Sequence, residues 1–266
     1  MTIPRKTMED RVALSFRQTE ILDIAQAEGR VVVEQLALRF DVTLQTIRRD
    51  LTELSDAGLL DRVHGGAIAR TGVANLGYDA RRTLNAGAKA AIARACAAAI
   101  PDNSSLILNL GTTTEAVARE LVNHRNITVV TNNMNVANIL VANDSCEVMV
   151  AGGALRRSDG GLVGELTTQF FEQFKVDIAV IGASAIDPDG DLLDYDLREV
   201  RVSKAILKQA RASFLVTDHS KLLRSAPARI CSLADLDTVF TDQPLPEGLT
   251  RNCETWNTRV EIAPAD

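Results

Sequence analysis

Gln45, Thr46, Arg48 and Arg49 lie close together, and each carries a hydrogen-bonding head. That set suits duplex DNA. Gln pairs with an adenine edge, Arg with a guanine edge or a phosphate, and hydroxyls such as those of Thr43 and Thr46 serve phosphates near a helix start. A second set lies downstream, where Gly111-Thr112-Thr113-Thr114 opens a predicted helix whose free N–H groups and dipole favour an anion. The run is neither a Walker motif nor Gly-x-Gly-x-x-Gly. Lys221, with Arg156, Arg157 and Lys204, offers positive charge for a phosphate, whereas Arg201 reads as part of a solvated helix face beside Glu199. Glu165, Asp187, Asp196, Glu199 and Asp218 offer acceptors for polyol hydroxyls. Asp187-Pro188-Asp189-Gly190-Asp191 spaces its acids like a calcium loop, but Leu192 stands where an EF-hand needs Gly, so Asp189-Gly190 is read as a hairpin turn.

The first set needs a helix that is apolar on one side. Ile47, Leu51 and Leu54 recur at i, i+4 and i+7, leaving Gln45, Thr46, Arg48, Arg49 and Thr52 on the other side, and Thr43 caps the first turn. Upstream, Ser15-Phe16-Arg17-Gln18 has capping-box form, and Ile21, Leu22 and Ala25 continue a helix as far as Gly29. Leu36, Ala37 and Phe40 mark a short second helix, with only Asp41-Val42 before Thr43, the tight spacing of a helix-turn-helix. After Gly58, residues 59–68 read as two strands about Gly65-Gly66, completing a winged helix with Arg62 and His64 on the wing. Competing partners exist within the same stretch: Arg48 and Arg49 could pair with Asp50, Glu53 or Asp56, and His64 could simply close the turn.

The run Gln45-Thr46-Ile47-Arg48-Arg49-Asp50-Leu51, followed by Gly58-Leu59-Leu60 and His64-Gly65-Gly66-Ala67, resembles the N-terminal signature of the DeoR family of bacterial transcription regulators. The resemblance implies a winged helix-turn-helix whose third helix enters the major groove; DNA contacts are expected from Arg17, Thr43, Gln45, Thr46, Arg48, Arg49, Arg62 and His64. Thr43 stands where the family usually has Ser, which preserves the cap.

Net charge of −6 argues against binding nucleic acid by bulk attraction. Residues 1–70 hold ten Lys and Arg against eleven Asp and Glu, so any grip on DNA must come from a few well-placed cations. Four widely spaced cysteines form no Cys-x-x-Cys pair and give no zinc or disulfide framework; no stretch has signal-peptide or membrane-span character, as in a cytoplasmic protein. The 266 residues suffice for two cores. Residues 1–14 are read as a flexible arm, 15–70 as the winged helix, 71–86 as a linker and 87–266 as an effector-sensing α/β domain.

In that domain, apolar strands over 106–110, 127–130, 147–150, 178–181, 214–216 and 238–241 alternate with helices over 88–100, 114–123, 135–141, 166–174 and 198–210. The pattern predicts a mainly parallel, Rossmann-like sheet covered on both faces, with ligand beyond the strands' carboxyl ends. Five polar turns would line that mouth: 111–114, 131–133, 151–153, 182–184 and 217–221. Effector contacts are therefore expected from Gly111, Thr112, Thr113, Thr114, Asn132, Gly152, Gly153, Glu165, Asp218 and Lys221.

Further runs, among them Thr131-Asn132-Asn133-Met134-Asn135, Asp159-Gly160-Gly161 with Gly164-Glu165, and Asp218-His219-Ser220-Lys221, are similar to one branch of the same family. This resemblance, over about residues 17–244, implies a repressor of glycerol metabolism genes, with a domain related to sugar-phosphate isomerases and released from its operator by sn-glycerol 3-phosphate; a homodimer or homotetramer is expected, since a two-fold dimer would read a near-palindromic operator. No other cofactor is implied. Asn109 stands where the family usually has Asp, and Ser203 where it usually has Lys, which leaves another sugar phosphate open as the effector. An isomerase with an accessory DNA-binding domain is the competing class; it would need a base such as Glu165 or Asp218 acting with Lys221.

Overall fold

The computed structural model describes residues 14–28, 30–57, 59–63, 65–69 and 78–263. Two compact units divide the chain between Gly72 and Val73.

The first unit holds helices α1 (Phe16–Glu28), α2 (Val33–Phe40) and α3 (Leu44–Asp56), with strands β1 (Arg30–Val32), β2 (Leu60–Val63) and β3 (Gly66–Ala69). Ile47, Leu51 and Leu54 are fully buried against Ile21, Leu36, Leu60 and Ala67, so the apolar stripe of α3 faces the core. Thr43 caps α3, its Oγ1 accepting from the Thr46 N–H at 3.2 Å. Ser15 and Gln18 close the capping box on α1: the Gln18 N–H donates to Ser15 Oγ at 3.2 Å and the Ser15 N–H to Gln18 Oε1 at 2.9 Å. Strand β1 was not legible as a strand. It pairs antiparallel with β3, giving the order β1-β3-β2, and it approaches so closely that a Cβ on Gly66 would lie 1.9 Å from the Val31 carbonyl oxygen.

The second unit opens with α4 (Tyr78–Thr83) and α5 (Ala86–Ala98). The stretch expected to be a linker through residue 86 thus carries a helix, which the short six-residue span concealed. There follow β4 (Ser105–Leu108), α6 (Thr112–Glu120), β5 (Ile127–Thr131), α7 (Met134–Leu140), β6 (Cys146–Val150), β7 (Ala154–Arg156), β8 (Gly161–Val163), α8 (Glu165–Phe171) and β9 (Val176–Ile181). Then come β10 (Ala185–Ile186), β11 (Asp191–Asp194), α9 (Leu197–Lys208), β12 (Ala210–Val216), β13 (Ala228–Ser232), β14 (Thr238–Thr241), α10 (Glu247–Trp256) and β15 (Arg259–Ile262). Seven of these strands form one parallel sheet in the order β15-β14-β12-β9-β4-β5-β6.

Alternate residues of its strands feed two cores. Leu106, Leu108, Val129, Ile178, Val180 and Phe214 pack with Ile92, Val117 and Leu140 of α5, α6 and α7, while Ile107, Val130, Ala179, Ile181 and Leu215 pack with Phe171, Ile206 and Leu249 of α8, α9 and α10. Burial on both faces explains why these strands read as continuous apolar runs. The chain steps outward from β4 to β5 and β6, then returns to place β9 on the other side of β4. That reversal is a topological switch point, where such sheets open a crevice. Asp189-Gly190 does turn a hairpin between β10 and β11: the N–H groups of Asp189 and Asp191 donate to Asp187 Oδ1 at 3.0 and 2.8 Å, and Gly190 has φ +88°. No helix among the described residues is long and apolar enough to cross a membrane.

Candidate nucleic-acid interface and effector pocket

A surface groove on the first unit runs between the start of α1 and the polar side of α3. Ser15, Arg17, Gln18, Thr43, Gln45, Thr46, Arg48, Arg49, Thr52 and Glu53 line it. Gln45, Arg48 and Arg49 are exposed, and among the described residues no group pairs with the Arg48 guanidinium. Arg49 is 81% exposed and donates from Nε to Glu53 Oε1 at 2.9 Å, an i,i+4 pair that a phosphate can displace cheaply. Thr46 shares its hydroxyl with Thr43 Oγ1 at 2.9 Å.

Two of the expected DNA contacts also hold the fold together. Arg17 grips the buried Asp50 through Nε–Oδ2 at 2.6 Å and Nη2–Oδ1 at 3.3 Å, clamping α1 to α3. Arg62 donates to the Arg48 carbonyl at 3.3 Å and ties the wing strand to α3. His64 lies outside the described residues.

The pocket of the second unit sits at the switch point. Asn109, Leu110 and Gly111 to Thr114 line it after β4, Gly182 to Ser184 after β9, and Arg81, Asp159, Asp194, Glu199, Ser203 and Lys221 complete it. Gly111 takes φ +143° in front of α6, a conformation that favours glycine, and the first N–H groups of α6 follow it. Thr114 Oγ1 is engaged by the carbonyls of Asn109 and Gly111 at 2.8 and 2.7 Å and braces the loop, and Thr112 Oγ1 donates to the Arg81 carbonyl at 3.3 Å. Among the described residues the Thr113 hydroxyl has no partner, which leaves it for a ligand.

Positive charge gathers around Lys221. Burial pushes Lys221 down to about 7, with Arg224, Lys89 and Arg81 adding repulsion against the attraction of Asp218. Burial also lowers Lys89 and Arg224. Asp218 loses charge preference through burial, but Lys221, Ser220, Asn85 and Lys89 outweigh that and hold it below its ordinary value. Among the described residues Arg81 Nε and Arg224 Nη2 are buried without a partner, and for Arg81, which lines the pocket, an anion would remove that cost.

Carboxylates gather around Arg156. Arg156 donates to Asp159 through Nε at 2.8 Å and Nη2 at 2.6 Å, and to Asp196 and Glu199 through Nη1. Burial, aided by Asp194, pushes Glu199 up to about 7 despite Arg156. Ser184 Oγ donates to Asp194 Oδ2 at 2.9 Å. Asn109 Nδ2 donates to Ser203 Oγ at 2.8 Å, so the two residues that depart from the family pattern form one buried, uncharged pair.

The expected mouth was too wide. The 131–133 and 151–153 turns follow β5 and β6 and do not line this pocket, which opens on the β9 side of β4. Asn132 is instead fully buried and donates to the Leu162 carbonyl at 3.1 Å. Gly153 gives way to Thr167, whose Oγ1 would lie 2.2 Å from a Cβ there, and Gly152 accepts from that same Oγ1 at 2.7 Å. Glu165 is exposed at the start of α8, bonded to Gln169, and does not line the pocket. Asp218 supports the cations from behind and caps the following turn through the Ser220 N–H. Arg81 was missed because it lies in the presumed linker; Tyr78-x-x-Arg81 on one helical face was the available signal.

Residues 17–72 match the DeoR-like helix-turn-helix domain and residues 84–243 the DeoR C terminal sensor domain. The glycerol-3-phosphate regulon repressor of Escherichia coli (strain K12) is 43% identical over 92% of this chain and 98% of its own. The protein of that name from Haemophilus influenzae is 41% identical over 93% of this chain and 96% of its own. Among solved structures, ribose 5 phosphate isomerase A from Neisseria gonorrhoeae overlaps 51% of this chain and 53% of its own, at 13% identity and a TM-score of 0.38. Two family matches covering both units, and relatives aligned almost end to end, place this chain in the DeoR family of DNA-binding transcriptional regulators.

Proposed function

We propose that the protein is a cytoplasmic repressor of glycerol and glycerol-3-phosphate metabolism genes, gripping operator DNA through α3 and released by sn-glycerol 3-phosphate. One observation carries the effector reading: the switch-point pocket brings Arg81 and Lys221 together with the helix start at residues 111–114, carboxylates and several hydroxyls. The phosphate lies on the N–H groups of residues 112–114 with Thr113, Lys221 and Arg81, and the polyol hydroxyls face Asn109, Ser184, Glu199 and Ser203. Gln45, Thr46, Arg48 and Arg49 read DNA, with Thr43 at the helix start. A homodimer, or a homotetramer built from it, presents two copies of α3 to a near-palindromic operator.

An isomerase reading has little support, since Glu165 lies away from the pocket and Asp218 is committed to Asn85 and Ser220. Operator release titrated with sn-glycerol 3-phosphate beside fructose 1-phosphate, glucose 6-phosphate and glycerol tests the effector. Release by glycerol 3-phosphate at the lowest concentration is expected, and indifference to it discards this effector. Turnover of any of these sugar phosphates would restore the enzyme reading.

A further inference from the structure

Helix α4 belongs to the pocket and is also the first described element beyond the boundary between the two units. Tyr78 anchors one end, its hydroxyl donating to Glu115 Oε2 at 2.8 Å and accepting from Asn135 Nδ2 at 3.1 Å. One turn on and on the same face, Arg81 reaches into the pocket and donates from Nη2 to Asp159 Oδ2 at 3.3 Å. That bond is a weak hold. Asp159 is already gripped by two shorter bonds from Arg156, so the departure of Arg81 strands no buried carboxylate. Arg81 meanwhile keeps a buried Nε with no acceptor and faces the positive charges of Lys221 and Arg224. Its backbone is tied to the phosphate end as well, because the Arg81 carbonyl accepts from Thr112 Oγ1 and Lys89 Nζ.

We propose that Arg81 exchanges Asp159 for the phosphate of the effector, and that α4 thereby passes occupancy of the pocket to the segment joining the two units. The proposal rests on the reading of this pocket as a phosphate sensor. A ligand shifts an equilibrium only if it favours one state over the other. The exchange supplies that preference, since the phosphate meets a full guanidinium fork only when Arg81 has left Asp159. Tyr78 stands between Arg81 and the joining segment, so a pull at Arg81 is carried to it through the anchor that Tyr78 makes with Glu115 and Asn135.

The test uses the full chain and DNA from its own upstream region. Occupancy by sn-glycerol 3-phosphate is measured by calorimetry and operator release by fluorescence anisotropy, and release is plotted against occupancy. Arg81→Gln is expected to bind the effector at least ten-fold more weakly and, at matched occupancy, to release less than half of the operator that the parent releases. Arg81→Lys should recover binding better than release. A release curve for Arg81→Gln that superimposes on the parent's overturns the coupling, because Arg81 then contributes affinity alone. Tyr78→Phe, which does not line the pocket, guards against a folding defect: effector affinity should stay within two-fold while the release curve shifts, and an unshifted curve overturns the proposal. A parent protein that binds neither glycerol 3-phosphate nor the other two sugar phosphates overturns the sensor reading itself, a result distinct from a bound effector with unaltered coupling.

Discussion

Replacing Lys221 by Met should make the effector-free protein more stable and its sensor weaker. Lys221 sits among Lys89, Arg81 and Arg224, and burial with their repulsion takes its ammonium from an ordinary 10.5 to about 7. Taken whole, that depression costs the folded state about 5 kcal/mol. The side chain is partly exposed and Asp218 stays paired with Asn85 and Ser220, so roughly 1–3 kcal/mol should be recovered on substitution. For a unit of this size that is a rise of several degrees in the unfolding temperature. The sign with pH follows from proton binding. Between about 7 and 10.5 the unfolded chain holds the Lys221 proton and the folded one does not, so the penalty is full below about pH 7 and fades as pH rises towards 10.5. The variant's advantage should therefore be present at pH 6.5 and gone near pH 10. Loss of a charge-assisted bond to phosphate costs about 1.5–3 kcal/mol, or roughly 10- to 150-fold in effector affinity. Thermal unfolding with and without sn-glycerol 3-phosphate reads both effects. A variant that melts below the parent and keeps the full effector-induced rise would refute the reasoning.

Effector binding at pH 8 should take up a proton, because phosphate beside Lys221 restores its charge; calorimetry in buffers of different ionisation heat would detect this, and heats independent of buffer would contradict it. Gly66→Ala places a Cβ 1.9 Å from the Val31 carbonyl oxygen, so it should destabilise the first unit by about 1–3 kcal/mol in denaturant unfolding and leave effector affinity untouched. Arg49→Ala should weaken operator binding by roughly 1–3 kcal/mol without changing effector affinity, and Thr113→Val should do the reverse; filter binding and calorimetry on each variant separate the two sites.

The elements that the sequence disclosed are those whose packing is uniform along their length. Helix α3 was legible because Ile47, Leu51 and Leu54 face one core, and β4, β5, β9 and β14 because both faces are buried. What stayed hidden depends on partners distant in the chain. Strand β1 has three residues and exists through pairing with β3, and the β7–β8 hairpin has three residues on each side. Edge strand β15 alternates too weakly to stand out, with mostly exposed residues. The pocket divides the same way. Gly111 to Thr114 announced itself as a local motif, whereas Arg81, Asp159 and Glu199 converge from the last turn of α4, a turn and the first turn of α9, which no spacing relates. Glu165 and Gly153 also lie at polar turns near strand ends, but they do not line the pocket beyond β4 and β9, and no local signal separates the two kinds of turn.

The central claim is that a phosphate held beyond β4 loosens the grip of α3 on DNA. Anisotropy of the labelled upstream operator, titrated with sn-glycerol 3-phosphate at fixed protein, tests it most directly. Release is expected for the parent chain, and retention for Lys221→Met over the concentration range that frees the parent. Release of both proteins at the same concentration, or of neither, would contradict it.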